Sequence, residues 1–185
     1  ENQLVDVNEK INELKKLKLD EDLQEMVSVK NLNIAQAEEI QKRRENLKAL
    51  EREIAKKKEA KMADLEGQKK EKDTAIANTK RQISKDKVNI AENNKQLDNL
   101  DARIEKYQRI GGYEEKVKDL LAQEAQIYEE QDVLQARNAK NAERIKLLEE
   151  ERHAIMKEQD EVIMRYGTDE EKLDLLAAQK AELQD

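Results

Sequence analysis

Ile104-Glu105-Lys106-Tyr107-Gln108-Arg109-Ile110-Gly111-Gly112-Tyr113-Glu114-Glu115-Lys116-Val117 is the stretch whose reading decides the fold. It holds Gly111-Gly112, the one adjacent pair among four glycines. An apolar repeat enters it from the N-terminal side and another leaves it in a new phase. Before the pair, Met62, Lys69, Ile76, Ile83, Ile90, Leu97 and Ile104 are each seven apart, with a companion column of Leu65, Lys72, Thr79, Asp86, Asn93, Leu100 and Tyr107. After it, Tyr113, Leu120, Ile127, Leu134, Asn141, Leu148, Ile155 and Val162 repeat at the same interval. Their companions are Val117, Glu124, Gln131, Asn138, Ile145, Arg152, Gln159 and Tyr166. A seven-residue apolar repeat marks helices that wind about one another. Glycine enters positive φ without a Cβ penalty, so a Gly pair lets the chain reverse. The expected fold is all-α: an elongated coiled coil, folded as a long antiparallel helical hairpin turning at Gly111-Gly112, with short helical segments at both ends.

Folding there pairs residues whose numbers add to about 224. Ile104 then lies near Leu120, Leu97 near Ile127, Ile90 near Leu134, and Ile76 near Leu148. Asn93 faces Gln131 and Asp86 faces Asn138. Buried polar pairs of that kind fix register and reduce stability. Lys72 against Arg152 and Leu100 against Glu124 are poor matches, expected to snorkel outward. The alternative is a parallel homodimeric rod running straight through the glycines. Charge separates the two. Residues 42–87 hold 16 Lys+Arg against 9 Asp+Glu, and residues 143–185 hold 7 against 13. The hairpin lays the basic stretch along the acidic one, whereas the parallel rod sets each against its own copy.

Outward from the turn, the chain reads as segments. Leu4, Val7, Ile11 and Leu14 mark a short N-terminal helix over 1–20. Asp22 and Glu25 have capping-box spacing. A long first arm runs over 23–110, its stripe irregular through Leu23, Met26, Val27, Val29 and Leu32, then settling at Leu47, Leu50 and Ile54. One residue is gained before Met62, which changes supercoiling locally without ending a helix. The tip is 111–112 and the second arm 113–166. Gly167, then Thr168 and Glu171 at capping-box spacing, set off a C-terminal helical segment over 168–185.

Composition agrees. Of 185 residues, 43% are charged and 2% aromatic, against about 25% charged in ordinary domains. Phe, Trp, Pro and Cys are absent. The remaining apolar residues fill a thin seam between helices rather than a thick core. High charge also suits disorder, but the apolar periodicity and the abundance of helix formers oppose it. The net charge of -7 argues against nucleic acid as a partner. Without cysteine there is no disulfide framework and no thiolate metal site, which fits a reducing intracellular compartment. No apolar run approaches the roughly 18 residues of a membrane span. The chain starts at Glu1, so a fragment, a processed form or a portion of a longer chain is expected.

Chemistry is sparse. His153, the single histidine, sits in a charged stretch and reads as a solvated surface residue. Glu149-Glu150-Glu151 and Glu129-Glu130 read as solvated faces, because adjacent helical residues point apart. No phosphate loop or nucleophile motif occurs, so neither an enzyme nor a cofactor or metal is expected. Two contact candidates remain. Tyr107 and Tyr113 flank the Gly pair and are expected to seal the last layer of the seam; the alternative makes the tip of Tyr107, Gly111, Gly112 and Tyr113 a docking point for a protein partner, since Tyr is favoured at interfaces. Lys42, Arg43, Arg44, Lys56, Lys57 and Lys58 form a basic patch, the best candidate for nucleic acid or anionic lipid, but expected instead to pair with the acidic arm because no aromatics interleave it for base stacking. The coarse geometry resembles the arms of SMC-type ATPases and the helical hairpin that precedes a zinc ribbon in some bacterial proteins. No ATP-binding, hinge or Cys-rich motif accompanies it, so the likeness is one of shape. The expected function is a non-enzymatic structural element, an elongated spacer or scaffold for contacts with other proteins, in a larger assembly or by self-association. The alternative is the coiled-coil arm of a nucleic-acid-acting ATPase whose head lies outside this chain.

Overall fold

The structure, a computed structural model, describes residues 9–21, 24 and 34–184. Helix α1 spans 9–21, α2 Ile34–Ile110, α3 Glu114–Tyr166 and α4 Asp169–Gln184. Among the described residues there is no strand. The fold is all-helical, and α2 packs against α3, an arrangement consistent with a helical hairpin. The cap expected at Asp22 and Glu25, and the stripe residues Leu4, Val7, Leu23, Met26, Val27, Val29 and Leu32, lie outside the described residues.

Local chemistry explains the helix ends. α2 runs for 77 residues because no proline interrupts it and Gly67 is tolerated within a helix. α3 opens on Glu114 and Glu115 and has Arg165 in its last turn, each charge complementing the helix dipole. The Gly167 N–H donates to the Ile163 carbonyl at 2.8 Å. A Cβ on Gly167 would lie 2.4 Å from that oxygen, so glycine alone fits there. Thr168 Oγ1 accepts from the Glu171 N–H at 3.2 Å, which satisfies a free donor at the start of α4.

The chain divides into two compact units. In Gln68–Ile155, α2 contributes Ile76, Leu97, Leu100 and Ile104 to the buried core, and α3 contributes Leu120, Leu134, Leu148 and Ile155. Leu100, Ile104 and Leu120 form one cluster, with Tyr107, Val117 and Ile127 packed against it. Each such buried side chain contributes about 1.5–3 kcal/mol. Leu100 is 6% exposed, which corrects the expectation that it snorkels.

The other unit comprises Glu1–Gly67 with Met156–Asp185. Among its described residues, Ile11 and Leu65 are the buried apolar side chains, and Gln159 and Lys172 the buried polar ones. Gln159 Nε2 donates to Glu66 Oε2 at 2.9 Å. Lys58 Nζ meets both carboxylate oxygens of Glu171, at 2.7 and 2.8 Å, and holds that carboxyl below its usual pKa.

Candidate functional site

Two arrangements in the unit Gln68–Ile155 gather the residues with distinctive chemistry. The first is the turn between α2 and α3. Gly111 and Gly112 both sit at φ +79°, a region that disfavours residues with a Cβ. The Gly111 N–H donates to the Tyr107 carbonyl at 3.0 Å, closing the end of α2. The Val117 N–H donates to the Tyr113 carbonyl at 2.9 Å, opening α3. Reversal at the glycines brings the Tyr107 and Tyr113 rings to 5.0 Å between centroids, tilted by 50°, within the range of favourable aromatic pairs. Lys116 Nζ lies 5.0 Å from the Tyr107 centroid, a cation–π distance. The Lys116 hydrogen bond draws the Tyr107 hydroxyl below its ordinary pKa, and the positive charges of Arg103 and Lys106 act the same way. Ile110 and Tyr113 stand exposed at 62% and 45%. Of the candidate tip residues Gly111, Gly112 and Tyr113 are exposed, whereas Tyr107 is half-buried against the Leu100, Ile104 and Leu120 cluster; Ile110 is a further exposed residue outside the seven-residue columns.

The second arrangement is a polar stretch inside the apolar seam. Asp86 has no exposed surface. Arg137 Nε and Nη2 donate to its two carboxylate oxygens at 2.7 and 2.5 Å, and Gln82 Nε2 donates to Oδ1 at 2.9 Å. The Arg137 hydrogen bonds hold the Asp86 carboxyl below its usual pKa against the opposing effect of burial. Gln131 Nε2 donates to Asn94 Oδ1 at 2.5 Å and to the Ile90 carbonyl at 3.4 Å. Among the described residues, Asn93 Nδ2 and Asn138 Oδ1 are buried without a hydrogen-bond partner. Further along, the Glu124 carboxyl is raised above its ordinary pKa, first by burial and then by the neighbouring Asp101 carboxylate.

Like charges facing across the helices are relieved by their sequence neighbours. Lys72 pairs with Glu151, while Arg152 Nε reaches Asp73 at 2.5 Å. Lys80 lies 3.9 Å from Glu149. His153 is exposed.

The candidate basic residues lie on α2 in the other unit, the two triplets starting fourteen positions apart and so about 21 Å apart along the helix. Arg43 pairs with Glu39 at 3.0 Å, Lys57 with Glu53 at 3.5 Å, Arg44 with Glu21 at 3.8 Å and Lys58 with Glu171. Lys42 and Lys56 are exposed. Nearby, Lys61, Asp64, Glu158 and Glu161 line an open groove beside Leu65 and Val162. Among the described residues, no group of three or more His, Cys, Asp or Glu side chains could hold a metal ion, and no helix is long and apolar enough to cross a membrane. Comparison with protein-family models, curated proteins and solved structures finds no match to this chain.

Proposed function

We propose that this chain is a non-enzymatic structural element: a coiled-coil hairpin acting as a spacer or scaffold, whose exposed turn contacts another protein. The observation that carries this reading is the packing of α2 against α3 within Gln68–Ile155. Leu100, Ile104 and Leu120 supply its apolar packing, and Asp86 with Arg137 supplies a polar contact at one position. A polar pair inside an apolar seam selects one register over its alternatives. The charged side chains that meet between helices satisfy one another, as in Lys72–Glu151 and Arg152–Asp73. That arrangement serves alignment. At the turn, Ile110 and Tyr113 offer apolar and aromatic surface, with the half-buried Tyr107 ring against Tyr113, on a backbone that turns through two positive-φ glycines. Rigid aromatic surface of this kind is favoured in protein interfaces.

The reading is tested by placing cysteines at Ile90 and Leu134. In a hairpin these positions are adjacent within one chain, so oxidation at low protein concentration yields an intramolecular cross-link. Intermolecular Ile90–Ile90 cross-links in a chain carrying cysteine at position 90 alone, with no intramolecular product in the double variant, would establish the parallel rod instead.

A further inference from the structure

We propose that two copies of this chain associate by reciprocal docking of α4 on α2. The contrast between the two units motivates it. Eight apolar side chains are buried in Gln68–Ile155, whereas Ile11 and Leu65 are the ones buried among the described residues of the other unit. There, Leu47, Leu50 and Ile54 of α2 remain 41%, 53% and 37% exposed. They share one helical face with Arg43 and Lys57, at successive spacings of four, three, four and three. The face is an apolar strip bracketed by cations.

The same unit carries a complementary face. α4 turns Lys172, Leu175, Leu176 and Gln179 inward. Its outer side presents Glu170, Leu173, Asp174 and Ala177, all exposed, with Leu173 at 48%. Small and apolar residues there allow close helix approach, and carboxylates lie beside them. α4 has 16 residues, or about 24 Å of helix. Arg43 to Lys57 covers about 21 Å, so lengths match as well as charges. The Arg43–Glu39 and Lys57–Glu53 pairs are exposed contacts within one helix. Such pairs contribute little and yield readily to a new carboxylate.

A second copy supplies both faces at once. Docking α4 of one copy on α2 of the other, and the reverse, gives a closed two-fold dimer in which each contact occurs twice. Two short helix–helix contacts lie at the low end of specific interfaces, about 1,200 Å² in total. Interfaces at that end of the range are typically weak and transient, so association is sought at about micromolar concentrations.

The test uses the full chain in sedimentation velocity over a dilution series. The expected result is a shift from 21.6 kDa to twice that mass as concentration rises through the micromolar range, weakened by salt. Arg43→Glu with Lys57→Glu on one chain, and Glu170→Lys with Asp174→Lys on another, should each stay monomeric while keeping wild-type helicity. Mixing the two variants restores attraction at both contacts, so dimer reappears in the mixture alone. A wild type that stays monomeric at every concentration overturns the proposal, and leaves the α2 face to an acidic helix from another protein. So does a dimer that survives in the separate variants, or a mixture no more dimeric than its components. None of these outcomes touches the Ile90–Leu134 cross-link, which reports on packing within one chain.

Discussion

The Arg137 guanidinium grips both carboxylate oxygens of Asp86, at 2.7 and 2.5 Å, and the two side chains differ sharply in exposure. Asp86 is fully enclosed, whereas the Arg137 side chain is 47% exposed. Removing one partner of a buried pair is damaging chiefly because the other is left desolvated. Here the damage is asymmetric. Asp86→Leu releases Arg137 to water, while Arg137→Met strands a carboxylate in the seam. Thermal denaturation at pH 7 should show a larger fall in Tm for Arg137→Met than for Asp86→Leu, and the double variant should recover much of the loss. Because Arg137 lowers the folded-state pKa of Asp86, the pair's contribution is fully present above the ordinary aspartate value. It is lost as pH falls through the lowered folded value. Equal losses for the two single variants would show that the pair is solvated.

Glu124 has the opposite sign. Burial and the Asp101 charge raise its folded-state pKa, so between the unfolded and folded values the native chain holds a proton that the unfolded chain releases. Stability from that proton is present below the unfolded value and disappears as pH rises through the folded one. Glu124→Gln keeps the shape and removes the charge. Its expected effect is a higher Tm at neutral pH, with the gain shrinking as pH falls through the raised folded value toward the ordinary glutamate value. A constant gain across that range would assign the effect to packing.

Asn93 is 7% exposed and its Nδ2 is buried without a partner among the described residues. An unsatisfied buried donor is destabilising by about 1–3 kcal/mol. Asn93→Leu should therefore raise stability by about 1–2 kcal/mol in urea unfolding. The accompanying expectation is weaker register selection, because a polar seam position disfavours slipped pairings. A fall in stability would mean that Nδ2 is hydrated in solution.

Much of this packing was legible in the sequence, because seven-residue spacing places one residue per two turns on a common face. Ile104 and Leu120 were read as neighbours and share one cluster. The polar partners were legible only to within one position. The spacing matches Asp86 with Asn138, and Asp86 bonds Arg137; the spacing matches Gln131 with Asn93, and Gln131 bonds Asn94. Spacing locates a Cα on a face but says nothing of side-chain reach, and Arg137 is long enough to enter the seam from its edge. Lys72 and Arg152 looked like a clash for the same reason, until each turned to an adjacent acid on the other helix. At the turn, the Gly pair was plain in the sequence. The partners of Lys58 and Arg44 were not, since Glu171 and Glu21 come near them only through tertiary packing.

The basic residues should bind duplex DNA poorly. Lys58, Lys72 and Lys80 lie against Glu171, Glu151 and Glu149, so a phosphate must displace a carboxylate to reach them. Net charge is -7, and nonspecific affinity rises with the number of phosphates neutralised. Fluorescence anisotropy at physiological salt should show no submicromolar binding. Tight binding with a steep salt dependence would favour an arm of a nucleic-acid-acting ATPase.

Gly111 and Gly112 are expected to decide whether the helices fold back within one chain. A Cβ built at either position meets nothing within 4 Å, so replacement by Ala is not opposed by a clash. The penalty lies in the backbone. At φ +79° an L side chain is strained by roughly 1–2 kcal/mol per site. Each Ala also gains about 1 kcal/mol of helix propensity over Gly. Both effects favour continuing α2 into α3 through residues 111–113. Leu120 would then lose Leu100 and Ile104 from its own chain and recover them from a second, giving a dimer by exchange. The double variant should therefore be dimeric in light scattering at concentrations where the wild type is monomeric. Small-angle scattering should show an increased maximum dimension. Either single variant should retain the wild-type mass with a lower Tm, since one remaining glycine still permits a positive φ. If the double variant keeps the mass and dimension of the wild type, the glycines accommodate the turn without determining it. The packing of Leu100, Ile104 and Leu120 must then suffice to reverse the chain against the strain of two alanines.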